Sequence, residues 1–158
     1  MKRFFELIFA LLFIGGLSGC ISPSPVVVTD TVGPVPISRL PSAKGTLIVY
    51  TEFESSFGDP ENPRRAEYRV SSLDDKVIAI VPGPSAYSDP DSVELEPGLY
   101  KVTTRVSRLG RVVVPVKVDA RRRTVVYLDG SGNVATSDQG RPVVTLPTGM
   151  IVGDRATP

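Results

Sequence analysis

The chain predicts an all-β fold, a single antiparallel β-sandwich of about seven strands, on three observations. Apolar and polar residues alternate with period two in several short runs, the mark of strands with one buried face. No stretch sustains a 3.6-residue apolar period with helix caps. The 14 Gly and 15 Pro in 158 residues exceed the roughly 12% of average usage, an excess that suits turns and a linker. The length fits one ordinary domain.

The strands follow in order within residues 45–130. Residues 46–51 (TLIVYT) are rich in β formers, and 67–71 (EYRVS) place Tyr68 and Val70 on one face. Residues 76–81 (KVIAIV) are almost wholly apolar and read as a central strand. Residues 92–95 (SVEL) alternate again. Residues 99–106 set Tyr100, Val102 and Val106 against Lys101, Thr103 and Arg105 on the other face. Residues 111–118 turn Val112, Val114, Val116 and Val118 inward. Pro115 on the outward face lacks an N–H, which predicts an edge or bulged strand. Residues 124–128 (TVVYL) close the series.

The connections carry turn chemistry. Glu96-Pro97-Gly98-Leu99 suits a type II turn, with Gly98 at the position that needs a positive φ. Residues 108–110 and 119–121 are short enough for hairpins; 57–63 and 82–90 are longer loops. Residues 131–158 lose the alternation. Their two short apolar runs, 142–146 and 149–153, leave three roles open: extra strands of the sandwich, strand addition to a partner, or unordered chain.

Composition removes several functions. There is no His and a single Cys, Cys20. A Ser-His-Asp or Cys-His relay, a His metal ligand, an intrachain disulfide and a Cys-cluster metal site are all excluded. The 18 basic and 17 acidic side chains nearly balance, which argues against a nucleic-acid binder held by bulk charge. The acids gather in loops, as at Asp74 and Asp75, or Asp89, Asp91, Glu94 and Glu96. None matches a calcium-loop pattern, so they read as solvated loops. Asp129-Gly130-Ser131-Gly132 has neither the spacing nor the following helix of a phosphate loop and reads as a turn. No catalytic residue, metal site or cofactor is assigned, and an enzyme is not expected.

The first 19 residues have the three parts of a secretory signal: Lys2 and Arg3, the apolar run LIFALLFI, then small residues up to Gly19. The apolar run is too short to cross a bilayer, which needs about 20 such residues. Leu17-Ser18-Gly19-Cys20 resembles the lipobox of bacterial lipoproteins. The resemblance implies cleavage between Gly19 and Cys20, diacylglycerol on the Cys20 thiol, and an acyl chain such as palmitate on the new amine. It implies a lipid-anchored protein of the cell envelope. Ile21, rather than Asp, after the Cys implies the outer membrane where the host is Gram-negative. Cleavage would remove Lys2, Arg3 and Glu6, leaving equal numbers of basic and acidic groups and no general pull toward anionic lipid.

Residues 20–44 then read as a lipidated N-terminus and Pro-rich tether, with Pro23, Pro25, Pro34, Pro36 and Pro41. Extended, residues 21–42 would reach roughly 70 Å. They form either a stalk lifting the domain off the membrane or plain unordered chain; Val26-Val27-Val28 could also pair as an edge strand.

Leu95-Glu96-Pro97-Gly98-Leu99-Tyr100-Lys101-Val102 is similar to a motif of transthyretin-like, carboxypeptidase-regulatory-like and PEGA-type sandwich domains. The resemblance implies a domain that binds, spaces or braces. The expected function is a non-enzymatic accessory or structural subunit of an envelope assembly, acting through protein–protein contacts. A glycan- or polymer-binding envelope module is the alternative. The candidate contact residues are Arg105, Arg108 and Arg111 at one hairpin tip, Arg121, Arg122 and Arg123 at the opposite end of the sheet, and Tyr87 in a loop. Arginine forks suit phosphate, anionic glycan or an acidic partner. Edge protection by charge and packing of Tyr87 on the rim are the simpler roles for the same residues.

Overall fold

The computed structural model describes residues 26–35, 43–54, 63–85, 88–132 and 140–157. The strands are β1 (Val26–Val28), β2 (Gly45–Thr51), β3 (Phe53–Glu54), β4 (Arg64–Arg65), β5 (Tyr68–Ser71) and β6 (Val77–Val81). They continue with β7 (Ser92–Leu95), β8 (Gly98–Val106), β9 (Gly110–Val118), β10 (Arg123–Leu128), β11 (Val143–Thr145) and β12 (Ile151–Asp154). A five-stranded sheet runs β1-β9-β8-β5-β6, a three-stranded sheet runs β10-β2-β7, and β11-β12 and β3-β4 form two small pairs. The described residues are nearly all β, and none of the sheets they form closes into a barrel.

The core follows from the alternation. On β9 every even residue from Val112 to Val118 is buried, and β8 contributes Val102 and Val106. Leu47 and Val49 of β2, with Val126 and Leu128 of β10, join the same apolar cluster, so the two larger sheets share one core. Buried threonines need an acceptor as well as a place. Thr51 Oγ1 donates to the Ala66 carbonyl (2.7 Å), Thr104 Oγ1 to Glu67 (2.7 Å) and Thr124 Oγ1 to Lys117 (2.8 Å). Gly45 is required by close approach: a Cβ there would lie 2.4 Å from the Asp119 carbonyl oxygen.

Five expectations need correction. First, the pairing is not wholly antiparallel. β1 runs parallel to β9 and β2 parallel to β10. Turn signals report only neighbours in sequence, and parallel pairs join strands far apart along the chain. Second, β6 is an edge strand, not a central one. Its apolar run reads as buried on both faces, yet Val77, Ile78 and Ile80 are about half exposed. Third, β9 is not an edge. Beyond β1, Val32 N–H donates to the Pro115 carbonyl (2.9 Å) and Lys117 N–H to the Val32 carbonyl (2.8 Å). Pro115 sits where the chain passes from the β1 pairing to the Val32 bridge, so its missing donor costs little.

Fourth, neither 119–121 nor Glu96-Pro97-Gly98-Leu99 makes a hairpin within one sheet: each carries the chain from one large sheet to the other. Gly98 stays out of the left-handed region and begins β8, so the type II turn does not form. The Tyr100 hydroxyl instead donates to the Glu96 carbonyl four residues back (2.8 Å), the hydrogen bond that defines a tyrosine corner. Fifth, packing reaches outside 45–130. Val32, in the expected tether, is fully buried, as are Val144, Leu146 and Val152 of the expected tail. The tail's two apolar runs pair with each other as β11 and β12, and β12 lies against β10.

Tyr68 supplies a pH prediction. Its ring is buried and its hydroxyl donates to the Asp91 carbonyl at 3.3 Å. Burial, with the Asp91 carboxylate second, pushes its pKa well above the ordinary tyrosine value. A raised folded pKa means the neutral phenol stabilises the fold below the unfolded value of about 10 and that this is lost as pH rises. Urea midpoints should hold steady to about pH 10 and fall above it, and Tyr68→Phe should flatten the fall. An equally steep fall in the Phe variant would refute the assignment.

Candidate functional site

The β8–β9 turn gathers one of the two predicted arginine groups. Leu109 N–H donates to the Val106 carbonyl (3.2 Å), with Arg108 and Gly110 both left-handed at φ 69° and 79°. Glycine takes such a φ freely, whereas an L residue at Arg108 is strained. The Glu52 carboxylate accepts the Ser107 N–H at 2.6 Å and ties the turn to the end of β2. The antiparallel register sets Arg105 directly opposite Arg111. Like charges directly facing each other across a sheet are destabilising. Among the described residues, Arg105, Arg108 and Arg111 make no ion pair.

A fourth arginine joins them. Arg69 lies on β5 opposite Thr103 of β8. Arg69, Arg105 and Arg111, with Thr103, Glu54 and Glu67, line a shallow cleft of about 390 Å³ beside the turn. The alternation of EYRVS already turns Arg69 outward, but only the β5–β8 register brings it to this cleft. The arrangement offers several guanidinium forks to an anion, with two carboxylates on the same rim to restrict what fits.

The second group is elsewhere, as the sequence predicts. Arg121, Arg122 and Arg123 lie where β9 passes to β10, at the far end of the five-stranded sheet from the Arg108 turn. Arg122 is engaged locally, with Asp119 at 3.9 Å and the Val35 carbonyl at 3.2 Å. Arg121 is left-handed (φ 60°), and its N–H donates to the Lys44 carbonyl. These contacts hold the N-terminal segment and the connection together. Gly19, Cys20 and Tyr87 lie outside the described residues.

A buried ion pair went unread in the sequence. Arg65 Nη1 reaches Asp129 Oδ2 (3.0 Å) and the Thr51 carbonyl (2.8 Å), and both charged side chains are only 10% exposed. The guanidinium lies 4.7 Å from the Phe53 ring centre and 5.5 Å from that of Tyr50, which stacks on Tyr127 at 5.3 Å. Asp129 also accepts the Ser131 N–H and hydroxyl, so Asp129-Gly130-Ser131-Gly132 is a side-chain-capped turn. No local pattern links Arg65 to a residue so far along the chain. The cluster is a clamp between strand ends: Arg65 Nη1 and the Asp129 carboxylate are turned on one another, while the buried Arg65 Nε has no hydrogen-bond partner among the described residues. Among the described residues no group of three or more acidic or Cys side chains could hold a metal ion.

Compared with known proteins, the chain matches no family model, no curated protein and no solved structure.

Proposed function

We propose that the chain is a lipid-anchored lipoprotein of the bacterial cell envelope, serving as a non-enzymatic accessory subunit through protein–protein contacts. The observation that carries the reading is Leu17-Ser18-Gly19-Cys20 at the end of a charged and then apolar leader. A thiol is the nucleophile that thioether lipidation needs, and two or three acyl chains anchor stably where one is marginal. The two large sheets are read as a transthyretin-like sandwich, with Leu95-Glu96-Pro97-Gly98-Leu99-Tyr100 as its corner. Two features support binding rather than turnover. The cleft sets three guanidinium groups, which hold anions without exchanging protons near neutral pH, beside the Glu54 and Glu67 carboxylates. The edge strand β6 leaves half-exposed β-branched side chains where sheet edges are usually blunted by charge. An extended, β-branched segment of an envelope protein could add to it as a further strand.

Expression of Cys20→Ala in a bacterial host tests the anchor. The variant should leave the membrane fraction and appear in the soluble fraction, while the unaltered chain sediments with membranes. Membrane attachment undiminished by the substitution would overturn the reading.

A further inference from the structure

We infer that the Arg105–Arg108–Arg111 turn is a docking face for the anionic phospholipid headgroups of the membrane that holds the Cys20 lipid. The inference rests on the lipoprotein reading above and adds an orientation to it. Only residues 21–25 separate Cys20 from Val26, the first residue of β1. Fully extended, that connection spans about 20 Å. It therefore cannot be the roughly 70 Å stalk that the proline content implies; the domain is held close to the bilayer.

The parallel β1–β9 pairing decides which end comes close. Val26 is in register with Arg111, and Val28 with Val113. The chain thus enters the sheet beside the first residues of β9, next to the β8–β9 turn. Val26, the described residue nearest Cys20 in the chain, therefore lies at the end of the sheet where Arg105, Arg108 and Arg111 stand. The other arginine group is removed from that point by the length of β9, 9 residues, or about 27 Å. The short connection and the sheet direction together turn one arginine group, and not the other, toward the headgroups.

The chemistry fits the place. Phosphate oxygens take guanidinium forks, and a basic side chain near an anionic surface strengthens attachment about five-fold. Among the described residues the three arginines make no ion pair and Glu52 is the carboxylate bonded to the turn, while Glu54 and Glu67 share the cleft with Arg105 and Arg111 and leave the arginines in excess there. Equal numbers of charges in the processed chain give no net pull; the arginine group on the side of the Cys20 connection gives orientation. The left-handed Arg108 is consistent with a residue kept for its charge, since glycine would sit there without strain.

The test uses the full chain lipidated in a bacterial host and reconstituted into vesicles. Lipidation consumes the Cys20 thiol, so Ser107→Cys and Ala120→Cys each offer a single thiol for a fluorophore, one at each end of the sheet. A headgroup-linked nitroxide lipid reports proximity by quenching. In vesicles of mixed phosphatidylglycerol and phosphatidylcholine, the label at 107 should be quenched several-fold more than the label at 120. In phosphatidylcholine alone the difference should collapse. Arg105→Gln/Arg108→Gly/Arg111→Gln should lower the docked-to-undocked ratio about 100-fold; its turn is safeguarded by glycine at the left-handed position, and a thermal melt no lower than that of the unaltered chain verifies the fold. Equal quenching at the two ends, or a signal at 107 indifferent to anionic lipid and to the triple variant, overturns the docking face while leaving the anchor intact. Protein that fails to float with any vesicle overturns both readings together.

Discussion

Arg65→Ala is expected to destabilise the fold by about 3–5 kcal/mol, the cost of removing one partner from a buried pair. The pair does not earn that figure by attraction alone. Taking two charges out of water costs much of what their contact returns, so the net stabilisation by an intact buried pair is small. The large effect comes from what is left behind: Asp129 as a carboxylate only 10% exposed, with its cation gone. Arg65 also gives Nη1 to the Thr51 carbonyl and lies over Phe53, which is already 49% exposed. Its loss therefore loosens the ends of β2, β3 and β10 together. Asp129 keeps its bonds to Ser131, which hold the turn but supply no positive charge. Arg65→Ala/Asp129→Ala should recover part of the loss, because no orphaned charge remains. Urea denaturation of the two single variants and the double variant measures this as a cycle. A double variant as unstable as the sum of the singles would mean that the side chains do not act as a pair.

What the sequence made legible divides along physical lines. Alternation reports which face of a strand is buried, and Val112, Val114, Val116 and Val118 needed nothing more. The separation of Arg105, Arg108 and Arg111 from Arg121, Arg122 and Arg123 was legible too, because a strand joins the groups and strands are straight. Position within a sheet was not legible. Val77, Ile78 and Ile80 have the composition of a central strand, and only the neighbours of β6 reveal an edge. Arg69 belongs to the cleft through pairing across two strands, and Arg65 meets a carboxylate from a distant turn. Val32 was the hardest to see. One side chain among Thr31, Gly33 and Pro34 has no period to betray it, yet it bridges Val116 on one side and Arg155 on the other. Proline content marks extended chain, and extended chain packs as readily as it dangles when an edge awaits it.

A fragment cut to residues 45–130 is expected not to fold cooperatively, although that span contains β2 to β10. It would lack Val32, Val144, Leu146 and Val152, each 3% exposed or less. Burying such a side chain contributes about 1.5–3 kcal/mol. Losing four removes roughly 6–12 kcal/mol, comparable to the whole stability of about 5–15 kcal/mol for a domain. The cut also strips the Val32 hydrogen bonds from Pro115 and Lys117 and leaves an apolar groove open to water. Urea titration followed by far-UV circular dichroism should give a sigmoid for residues 26–157 and a shallow drift for 45–130; a sharp transition in the short fragment would show the flanks to be accessories. On the proposed lipoprotein reading the outcome bears on the membrane as well. Lengthening the connection would then require peeling β1 and Val32 away from β9, with the burial of Val32 lost and the edge of β9 exposed. If Cys20 carries the lipid, the chain length between Cys20 and Val26 limits how far the Arg108 turn can stand from the bilayer while that segment stays docked.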